Sequence, residues 1–258
     1  MSKIHFTEEY ILNPYHQIEV NVIGAGGTGC QVVTSLARIN CALMQLGHPG
    51  LHVTIIDGDI VTRANLGRQL FSASEVGMNK AVVLATRINR FFGFDWDAIT
   101  ENYPCKDSET ANITITCVDN VSARIKIGKF LRSSKSKGNG NNMDQCKPYY
   151  WLDFGNTTDT AQVVLGTVKS ISQPKKSKKD VCGKLKCVDE LFDLTKVNDE
   201  DSGPSCSLAE ALKKQDLFIN STVAQFGCNI LWKLFSGSIE NHGAFINLRT
   251  LNTNPIKV

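Results

Sequence analysis

A group of glycines between two predicted strands is the first stretch whose residue types and spacing could do chemistry. The run Glu-Val-Asn-Val-Ile-Gly-Ala-Gly-Gly-Thr-Gly-Cys predicts a buried strand, a tight turn and the start of a helix. The turn residues that let the backbone approach a phosphate without a Cβ in the way, and direct free amides toward it, are Gly24, Gly26, Gly27 and Gly29. The next strand, His-Val-Thr-Ile-Ile-Asp, ends in Asp57, whose carboxylate can accept hydrogen bonds from ribose hydroxyls. The pattern predicts a nucleotide site that NAD, FAD and ATP would fit alike.

A loop rich in polar and charged side chains follows Asp57. It reads Asp-Gly-Asp-Ile-Val-Thr-Arg-Ala-Asn-Leu-Gly-Arg-Gln-Leu-Phe and is followed by Val-Gly-Met-Asn-Lys. Open α/β sheets bind ligands outside the carboxyl ends of their strands, so this loop is predicted to face the nucleotide. The cationic side chains in these two runs are Arg63, Arg68 and Lys80. A dehydrogenase has no evident need for so many cations after the residue that binds the ribose.

This ordered set of motifs closely resembles the ThiF/MoeB/HesA family and the adenylation domains of ubiquitin-activating enzymes. Their pattern is Asp-x-Asp-x-Val-x-x-x-Asn-Leu-x-Arg-Gln followed by Gly-x-x-Lys. The resemblance implies that Asn65 and Arg68 contact the phosphates of ATP, and that Lys80 joins them from the start of the next helix. Taken singly, each residue also has a structural interpretation: an Asn in a turn, an Arg on a solvated face, a Lys in a first helical turn.

Another acidic residue follows a later strand, in the run Ile-Thr-Ile-Thr-Cys-Val-Asp-Asn-Val-Ser-Ala-Arg. By its match to the family pattern, Asp119 is the magnesium ligand. Mg²⁺ prefers oxygen ligands shared between one or two carboxylates and substrate phosphates. From the local sequence alone, Asp119 is predicted to be the N-cap of the helix that follows. The two roles are compatible.

Nine cysteines are scattered along the chain, an odd count that indicates free thiols rather than a secreted disulfide framework. Cys206 follows a Gly-Pro turn and precedes a helical run, where the helix dipole favours the thiolate. Some ubiquitin-activating enzymes without a separate cysteine domain carry their catalytic cysteine in this place. Cys206 is therefore a candidate acyl acceptor, with a structural or metal-bound thiol as the alternative.

A zinc site is a second hypothesis for the cysteines. Cys182 and Cys187 are the candidate ligands, completed by Cys146 or Cys206, although the family normally uses two Cys-x-x-Cys pairs and this spacing departs from them. Cys228 lies within the last predicted long helix, and its side chain is predicted to be part of the hydrophobic core.

Seven lysines fall within residues 169–187, which are interpreted either as a solvated loop or as a steering patch for an acidic protein partner. Residues 1–18 are predicted to pack as an arm. Enzymes of the family commonly contribute an arginine from this region to the neighbouring subunit, but the first arginine of this chain is Arg38. The substitutes available near the N-terminus are Lys3, His5 and His16.

The order of predicted strands and helices indicates an α/β fold with a Rossmann-like doubly wound sheet, and the family resemblance implies the mixed sheet of a ThiF/MoeB-type adenylation domain. A single domain is predicted over residues 1–258, with a nucleotide-binding half at 19–132 and a partner-binding half at 149–258 that carries the basic insertion 169–187. Apolar periodicity predicts helices at 31–46, 80–92 and 122–132. Two strands joined by a turn at 157–160 should form a platform beside the nucleotide, and a last strand at 244–249 should end the chain near Pro255.

Composition limits the function classes. The chain has 258 residues, is 42% apolar and carries a formal charge of +3, so a nucleic-acid binder across the whole surface is not indicated, while binding to one basic patch stays open. No apolar run of transmembrane length and no signal peptide is recognised, so a soluble cytoplasmic protein without membrane contact is expected.

The family resemblance implies ATP-dependent adenylation of the C-terminus of a small ubiquitin-like protein, with Mg²⁺ as cofactor, Zn²⁺ as a further candidate, and thioester formation on Cys206 as a second step. The family's habit implies a homodimer. The run Pro-Ser-Cys-Ser-Leu-Ala-Glu-Ala-Leu most resembles the ThiF-type member of bacterial PRTRC cassettes, which encode a small ubiquitin-like protein nearby. The alternatives are a nicotinamide-dependent oxidoreductase, which leaves Arg68, Lys80 and Asp119 unexplained, and a catalytically inactive scaffold.

Overall fold

The central feature of this computed structural model is an eight-stranded mixed sheet with helices on both faces. The structure describes residues 3–105, 109–133, 147–194 and 215–258. The strands are β1 (Lys3–Phe6), β2 (Ile18–Ile23), β3 (Leu51–Ile56), β4 (Asp97–Ile99), β5 (Ile113–Thr116), β6 (Tyr150–Asn156), β7 (Thr160–Thr167), β8 (Asp180–Val181), β9 (Ser238–Ile239), β10 (Asn241–Asn247) and β11 (Asn252–Lys257). The α-helices are α1 (Glu9–Leu12), α2 (Gly27–Gln45), α3 (Lys80–Phe92), α4 (Val121–Ser133), α5 (Val188–Leu191) and α6 (Ile219–Phe235). Two 3₁₀ turns lie at Arg63–Asn65 and Ala73–Glu75.

The strand order of the main sheet is β11-β10-β7-β6-β5-β2-β3-β4. Strands β4, β3, β2, β5 and β6 are parallel, and β7, β10 and β11 continue the sheet in antiparallel fashion. From β2 the chain passes through α2 to β3 and then α3 to β4, whereas from β5 it passes through α4 to β6 on the other side. The switch between these two directions lies between β2 and β5, where such sheets bind ligands. The predicted fold class is confirmed.

Helix α2 begins four residues earlier than the periodicity predicts. The last glycines of the turn adopt helical geometry, with Gly26 as N-cap, so they form the first turn of the helix themselves. Its apolar side chains Val32, Leu36 and Leu43 are buried as the periodicity predicts, whereas Leu46, predicted to end the same stripe, is the C-cap and is 74% exposed. Helix α3 has the predicted bounds because the Asn79 side chain accepts a hydrogen bond from the Val82 amide at 3.1 Å, while Gly93 ends the helix in the left-handed conformation.

Two apolar layers sandwich the sheet. Helices α2, α3 and α6 pack together on one face, and α4 and α5 cover the other, around Ile127, Leu131 and Trp151. Burying one such aliphatic or aromatic side chain stabilises the folded state by about 1.5–3 kcal/mol. These layers hold fixed the loops that leave the carboxyl ends of the parallel strands.

The N-terminal residues form a strand as well as an arm. Strand β1 pairs in parallel with β8 and antiparallel with β9, which makes a small second sheet. This sheet lies near the amino ends of the parallel strands, where the His5 ring of β1 is 3.0 Å from the hydroxyl of Tyr150, the first residue of β6. Strand β7 also ends there, because its last residue, Thr167, pairs with Tyr150. The basic segment 169–187 leaves β7 at that same end.

The C-terminus differs from the prediction of a final strand at 244–249. That strand is β10, and a further strand, β11, follows it and contains Pro255. A proline cannot donate a ladder hydrogen bond, so sequence patterns argue against a strand there. Since β11 is the outermost strand of the sheet, the proline is tolerated.

Within the described ranges, none of the helices has both the length and the apolar character needed to cross a membrane.

Candidate functional site

A cleft of about 760 Å³ opens at the carboxyl ends of the parallel strands. Its walls come from the loops that follow β2, β3, β4, β5 and β6, and from the start of α6. The cleft therefore lies at the switch between β2 and β5, the position expected for a ligand in this fold.

The glycine turn after β2 forms one wall. Gly24 has a φ of +93° and packs so closely on β5 that a Cβ would lie 2.7 Å from the carbonyl oxygen of Cys117. A Cβ on Gly27 would lie 2.8 Å from the Asn220 side chain, and one on Gly29 would overlap the carbonyl oxygen of Gly24. Gly24, Gly26 and Gly27 line the cleft, whereas Gly29 lies outside its lining and permits the helix to pack on the turn.

Asp57 is fixed beside this turn at the end of β3. Its carboxylate accepts hydrogen bonds from the Ala25 amide at 2.5 Å and the Asp59 amide at 2.8 Å. Partial burial raises the pKa of Asp57, and these two amide donors oppose that shift. A carboxylate has about four lone-pair sites, so acceptor capacity remains for a ligand hydroxyl.

Two cations face the cleft. The Lys80 ammonium group, on a side chain that is only 9% exposed, forms an ion pair with Asp59 at 2.8 Å. Arg68 donates from Nη1 to the Gln215 side-chain oxygen at 2.7 Å. Its Nε is buried and has no hydrogen-bond partner in the part of the chain that the structure describes, and burial lowers the pKa of the guanidinium. A buried unpaired donor costs about 1–3 kcal/mol, so this arrangement favours a bound anion.

Asn65 lies on the same loop but is not among the residues that line the cleft. Its side-chain oxygen accepts hydrogen bonds from the Thr62 amide at 2.8 Å and the Thr62 hydroxyl at 3.0 Å. These bonds shape the turn that carries Arg68. Contact between Asn65 and a phosphate stays a prediction.

Asp119 lies on the cleft wall after β5, with an exposed side chain. The N-cap of α4 is its neighbour Asn120, whose side-chain oxygen accepts from the Ala123 amide at 2.8 Å. The local prediction that Asp119 caps this helix is therefore wrong. Because the side-chain oxygen of Asn120 serves as the cap, the Asp119 carboxylate does not cap the helix, and its contact with the Asn120 side-chain nitrogen is long, at 3.5 Å.

A buried ion pair, which sequence reasoning missed, fixes the chain next to Asp119 against β6. Arg124 on α4 donates from Nε to Asp153 at 3.1 Å. Its Nη2 donates to the carbonyl oxygens of Val118 at 2.6 Å and Phe154 at 2.7 Å. Burial raises the pKa of Asp153, and the Arg124 charge opposes that shift. One guanidinium thus holds the chain before Asp119 and the end of β6 together.

A second polar network, also missed, crosses the floor of the cleft. The Asn220 side-chain oxygen accepts from the Thr28 hydroxyl at 2.9 Å and from the Asn156 amide at 3.2 Å. Its amide donates to the Gln215 oxygen at 2.9 Å, the same atom that Arg68 contacts. No local signal marks Asn220, since it becomes part of the site only when α6 packs against α2.

Two further lysines, Lys126 and Lys129, line the cleft from α4. Both are exposed, and neither forms an ion pair within the described ranges. Their spacing of three residues on a helix that follows Asp119 was the available signal.

The cysteines are divided between described and undescribed regions. Cys206 and Cys146 lie outside the described residues. In the described ranges, one group with metal-ligand geometry contains Cys187, Asp189 and Glu190, and Cys182 is not part of it. Burial raises the pKa of Cys187 to about 12. A zinc site on Cys182 and Cys187 stays a prediction.

The carboxylates beside Cys187 already have partners. Asp189 accepts two hydrogen bonds from Arg132, at 2.6 and 2.7 Å, and Glu190 lies 3.1 Å from the Lys184 ammonium group. A metal ion at this position would have to displace both cations.

The candidate substitutes for an N-terminal arginine do not line the cleft. His5 is buried, with ring nitrogens 2.6 Å from the Cys182 carbonyl oxygen and 3.0 Å from the Tyr150 hydroxyl, and burial lowers its pKa. Lys3 and His16 are exposed.

The amino-acid sequence is similar to a known protein family over most of its length. A sequence model described as the ThiF family matches residues 6–254. The chain is 30% identical over 125 residues to the SUMO-activating enzyme subunit uba-2 of Caenorhabditis elegans, covering 46% of this chain and 20% of that protein. It is 43% identical over 72 residues to the Nedd8-activating enzyme E1 catalytic subunit of Drosophila melanogaster, covering 28% of this chain and 14% of that protein.

The fold is shared with solved structures of Escherichia coli MccB. The structure of MccB with ATP superposes with a TM-score of 0.57 at 17% identity, covering 96% of this chain and 64% of that chain. The structure of MccB with MccA gives a TM-score of 0.57 at 17% identity, over 96% and 65% of the two chains. The chain thus spans a fifth or less of these curated relatives and just under two thirds of MccB.

Proposed function

From the premise that the chain belongs to the ThiF family, we propose that it uses ATP to adenylate the C-terminal carboxylate of a small ubiquitin-like protein or peptide. The observation that carries this proposal is the cleft itself. One opening brings together a glycine turn at a helix N-terminus, a ribose-type acceptor at Asp57, the cations Arg68 and Lys80, and the carboxylate of Asp119.

The nucleotide would lie along the wall of the cleft that the glycine turn forms. Free amides at the start of α2 and the guanidinium of Arg68 suit phosphate oxygens, because both present donors and positive charge. Asp57 suits the ribose hydroxyls, since its fixed carboxylate retains acceptor sites. The relatives are activating enzymes for ubiquitin-like proteins, and MccB has been solved with ATP, which supports the same nucleotide here.

The reaction needs no general base, because a C-terminal carboxylate is already ionised at neutral pH. A carboxylate oxygen attacks the α-phosphorus of ATP, a new C–O–P bond forms, and the bond from the α-phosphorus to the bridging oxygen breaks. The electron pair leaves with pyrophosphate. Arg68 and Lys80 stabilise the charge that develops on the phosphate oxygens.

The residues present fit a magnesium ion. The Asp119 carboxylate is exposed to the cleft and is not used as a helix cap, so it can supply the single protein oxygen ligand that Mg²⁺ commonly takes beside substrate phosphates. Such an ion would neutralise phosphate charge. Arg124 holds the residue before this carboxylate, Val118, against β6 at Phe154.

Three finer assignments belong to the same proposal. The substrate is the small ubiquitin-like protein of a PRTRC-type cassette, the enzyme acts as a homodimer, and Cys206 receives the acyl group. In that last step the thiolate attacks the acyl carbonyl, a thioester forms and AMP leaves. Their support is the sequence resemblance, together with relatives that activate ubiquitin-like proteins.

The product analysis tests the proposal. Incubation with ATP, magnesium and the ubiquitin-like protein of the same cassette should yield AMP-linked partner and pyrophosphate, detected by mass spectrometry. A partner whose C-terminus is amidated is the matched control, because it has no carboxylate to attack phosphorus. Formation of ADP and phosphate, or equal turnover with the amidated partner, would exclude adenylation.

A further inference from the structure

Segment 169–187 carries a concentration of positive charge that the adenylation chemistry does not use. It contains seven of the 28 Lys and Arg residues and one of the 25 Asp and Glu residues. The remainder of the chain therefore has a formal net charge of −3, whereas the whole chain has +3. The positive character of this protein is a local property of one segment.

Five of these lysines are exposed and have no hydrogen bond or ion pair with any residue in the described ranges. They are Lys169, Lys175, Lys176, Lys178 and Lys186, and together they are called the lysine surface. The other two are engaged: Lys179 pairs with Glu240 at 2.6 Å and Lys184 with Glu190 at 3.1 Å.

The backbone beneath the lysine surface is held in place. The Ile171 amide donates to the Gly183 carbonyl oxygen at 2.8 Å, which closes the loop that carries the central lysines. The Gln173 side chain accepts from the Phe6 amide at 2.9 Å and donates to the Phe6 carbonyl oxygen at 3.0 Å, tying the loop to β1. The Thr167 amide donates to the Leu185 carbonyl oxygen at 3.0 Å, which brings the two ends of the segment together.

The lysine surface lies away from the adenylation cleft. Segment 169–187 leaves β7 at the amino ends of the parallel strands, where Thr167 pairs with Tyr150, while the cleft lies at their carboxyl ends. A molecule bound here would leave the cleft accessible.

The residue types indicate a phosphate backbone rather than a protein surface. Protein interfaces are enriched in arginine and aromatic anchors and depleted in lysine. The segment contains no arginine and no aromatic residue, and its one exposed large apolar side chain is Val181. Lysine acts as a mobile point charge that neutralises phosphates without fixed geometry, which is sufficient for binding that ignores sequence. We propose that the lysine surface binds the phosphate backbone of a nucleic acid.

Fluorescence anisotropy with a fluorescein-labelled DNA duplex of arbitrary sequence tests this directly. Each neutralised phosphate contributes about −0.9 to the slope of log affinity against log salt, so five contacts predict about a 500-fold loss of affinity between about 50 and 200 mM salt. The variant Lys175→Gln/Lys176→Gln/Lys178→Gln leaves two contacts and should lose only about 12-fold over the same range, from a weaker starting affinity.

A matched control removes the same charge elsewhere. The three exposed cations Arg38, Arg63 and Arg90 form no side-chain hydrogen bond or ion pair within the described ranges and lie outside the cleft lining. Their triple change to Gln should bind DNA like the parent chain. Equal weakening in both triple variants, or binding without salt dependence, would overturn the proposal. So would displacement of the duplex by polyglutamate as efficiently as by unlabelled DNA at equal charge, because that result assigns the surface to an acidic protein.

The outcome is separable from the proposed adenylation. The triple lysine variant keeps every cleft residue, so its pyrophosphate exchange and melting temperature should match those of the parent chain. If the triple lysine variant loses DNA binding while its pyrophosphate exchange is unchanged, the nucleic-acid proposal is supported independently of adenylation. If the parent chain binds DNA but shows no exchange, only the adenylation proposal fails.

Discussion

At the scale of single residues, the orientation of Arg68 depends on a neutral side chain. Gln215 accepts from its Nη1, and Asn220 in turn holds Gln215, so the guanidinium is fixed before any phosphate arrives. Nε, which has no partner within the described ranges, and the other N–H groups of the guanidinium then remain as donors for a ligand. A preorganised cation of this kind lowers the energy of developing charge without reorganisation during the reaction.

Replacing Gln215 by Leu should therefore weaken catalysis more than folding. The change removes one hydrogen bond to a charged donor, worth about 1.5–3 kcal/mol, and should lower pyrophosphate exchange by roughly 10- to 100-fold. The control is Gln225→Leu, since Gln225 lies on α6, which begins four residues after Gln215, and donates to Ser35 away from the cleft. Similar exchange rates in the two variants would show that Gln215 does not position Arg68.

At the scale of elements, two adjacent residues at the start of α4 have separate tasks. Asn120 caps the helix, and Asp119 faces the cleft. A sequence that reads Asp-Asn before a helix cannot tell which side chain serves as the cap, because either residue is suitable and the choice depends on how the loop leaves β5.

Urea unfolding separates these tasks. Asn120→Ala should lower the free energy of unfolding by about 1 kcal/mol, the usual cost of a lost N-cap. Asp119→Ala should leave it nearly unchanged, since its carboxylate is exposed. An equal loss of stability in the two variants would show that Asp119 also contributes to capping α4.

The edge of the sheet also contains a pH-sensitive contact. His52 on β3 lies 3.0 Å from Glu19 on β2 and 3.5 Å from Asp97 on β4. The hydrogen bond to Glu19, and the charges of Glu19, Asp97 and Asp95, raise the pKa of His52 against the opposing effect of burial. The folded pKa exceeds the unfolded value of 6.5. The contact is therefore fully stabilising below that value, and its contribution is lost as pH rises through the folded pKa.

Thermal melts of the parent chain and His52→Gln should show this dependence. The variant should lose more stability relative to the parent at about pH 5.5 than at about pH 8.5, because only the protonated imidazole attracts the carboxylates. His5 and His242 change in the opposite direction, since burial lowers their pKa values and they favour folding when neutral. They are present in both proteins and cancel in the difference. A difference that does not vary with pH would rule out a charged His52.

At the scale of the whole molecule, the sequence predicts those parts of the site that belong to local motifs, each next to a predicted strand or helix. The glycine turn, Asp57, Lys80 and Asp119 follow strands in order, so periodicity and motif spacing locate them at the carboxyl ends of the sheet. The network of Arg68, Gln215 and Asn220 joins residues about 150 positions apart and forms only when α6 packs on α2, so no local pattern marks it. The same applies to Arg124 and Asp153, which meet through the register of β5 and β6.

Pyrophosphate exchange into ATP, measured with the ubiquitin-like partner, tests the central claim most directly. The parent chain should catalyse exchange only when the partner has a free C-terminal carboxylate, because the reverse reaction requires the acyl-adenylate. Asp119→Asn should reduce exchange by at least about 100-fold while the melting temperature stays unchanged, since a neutral amide is a poorer ligand for magnesium. Full exchange in Asp119→Asn, or exchange that is independent of the partner's carboxylate, would contradict adenylation in this cleft.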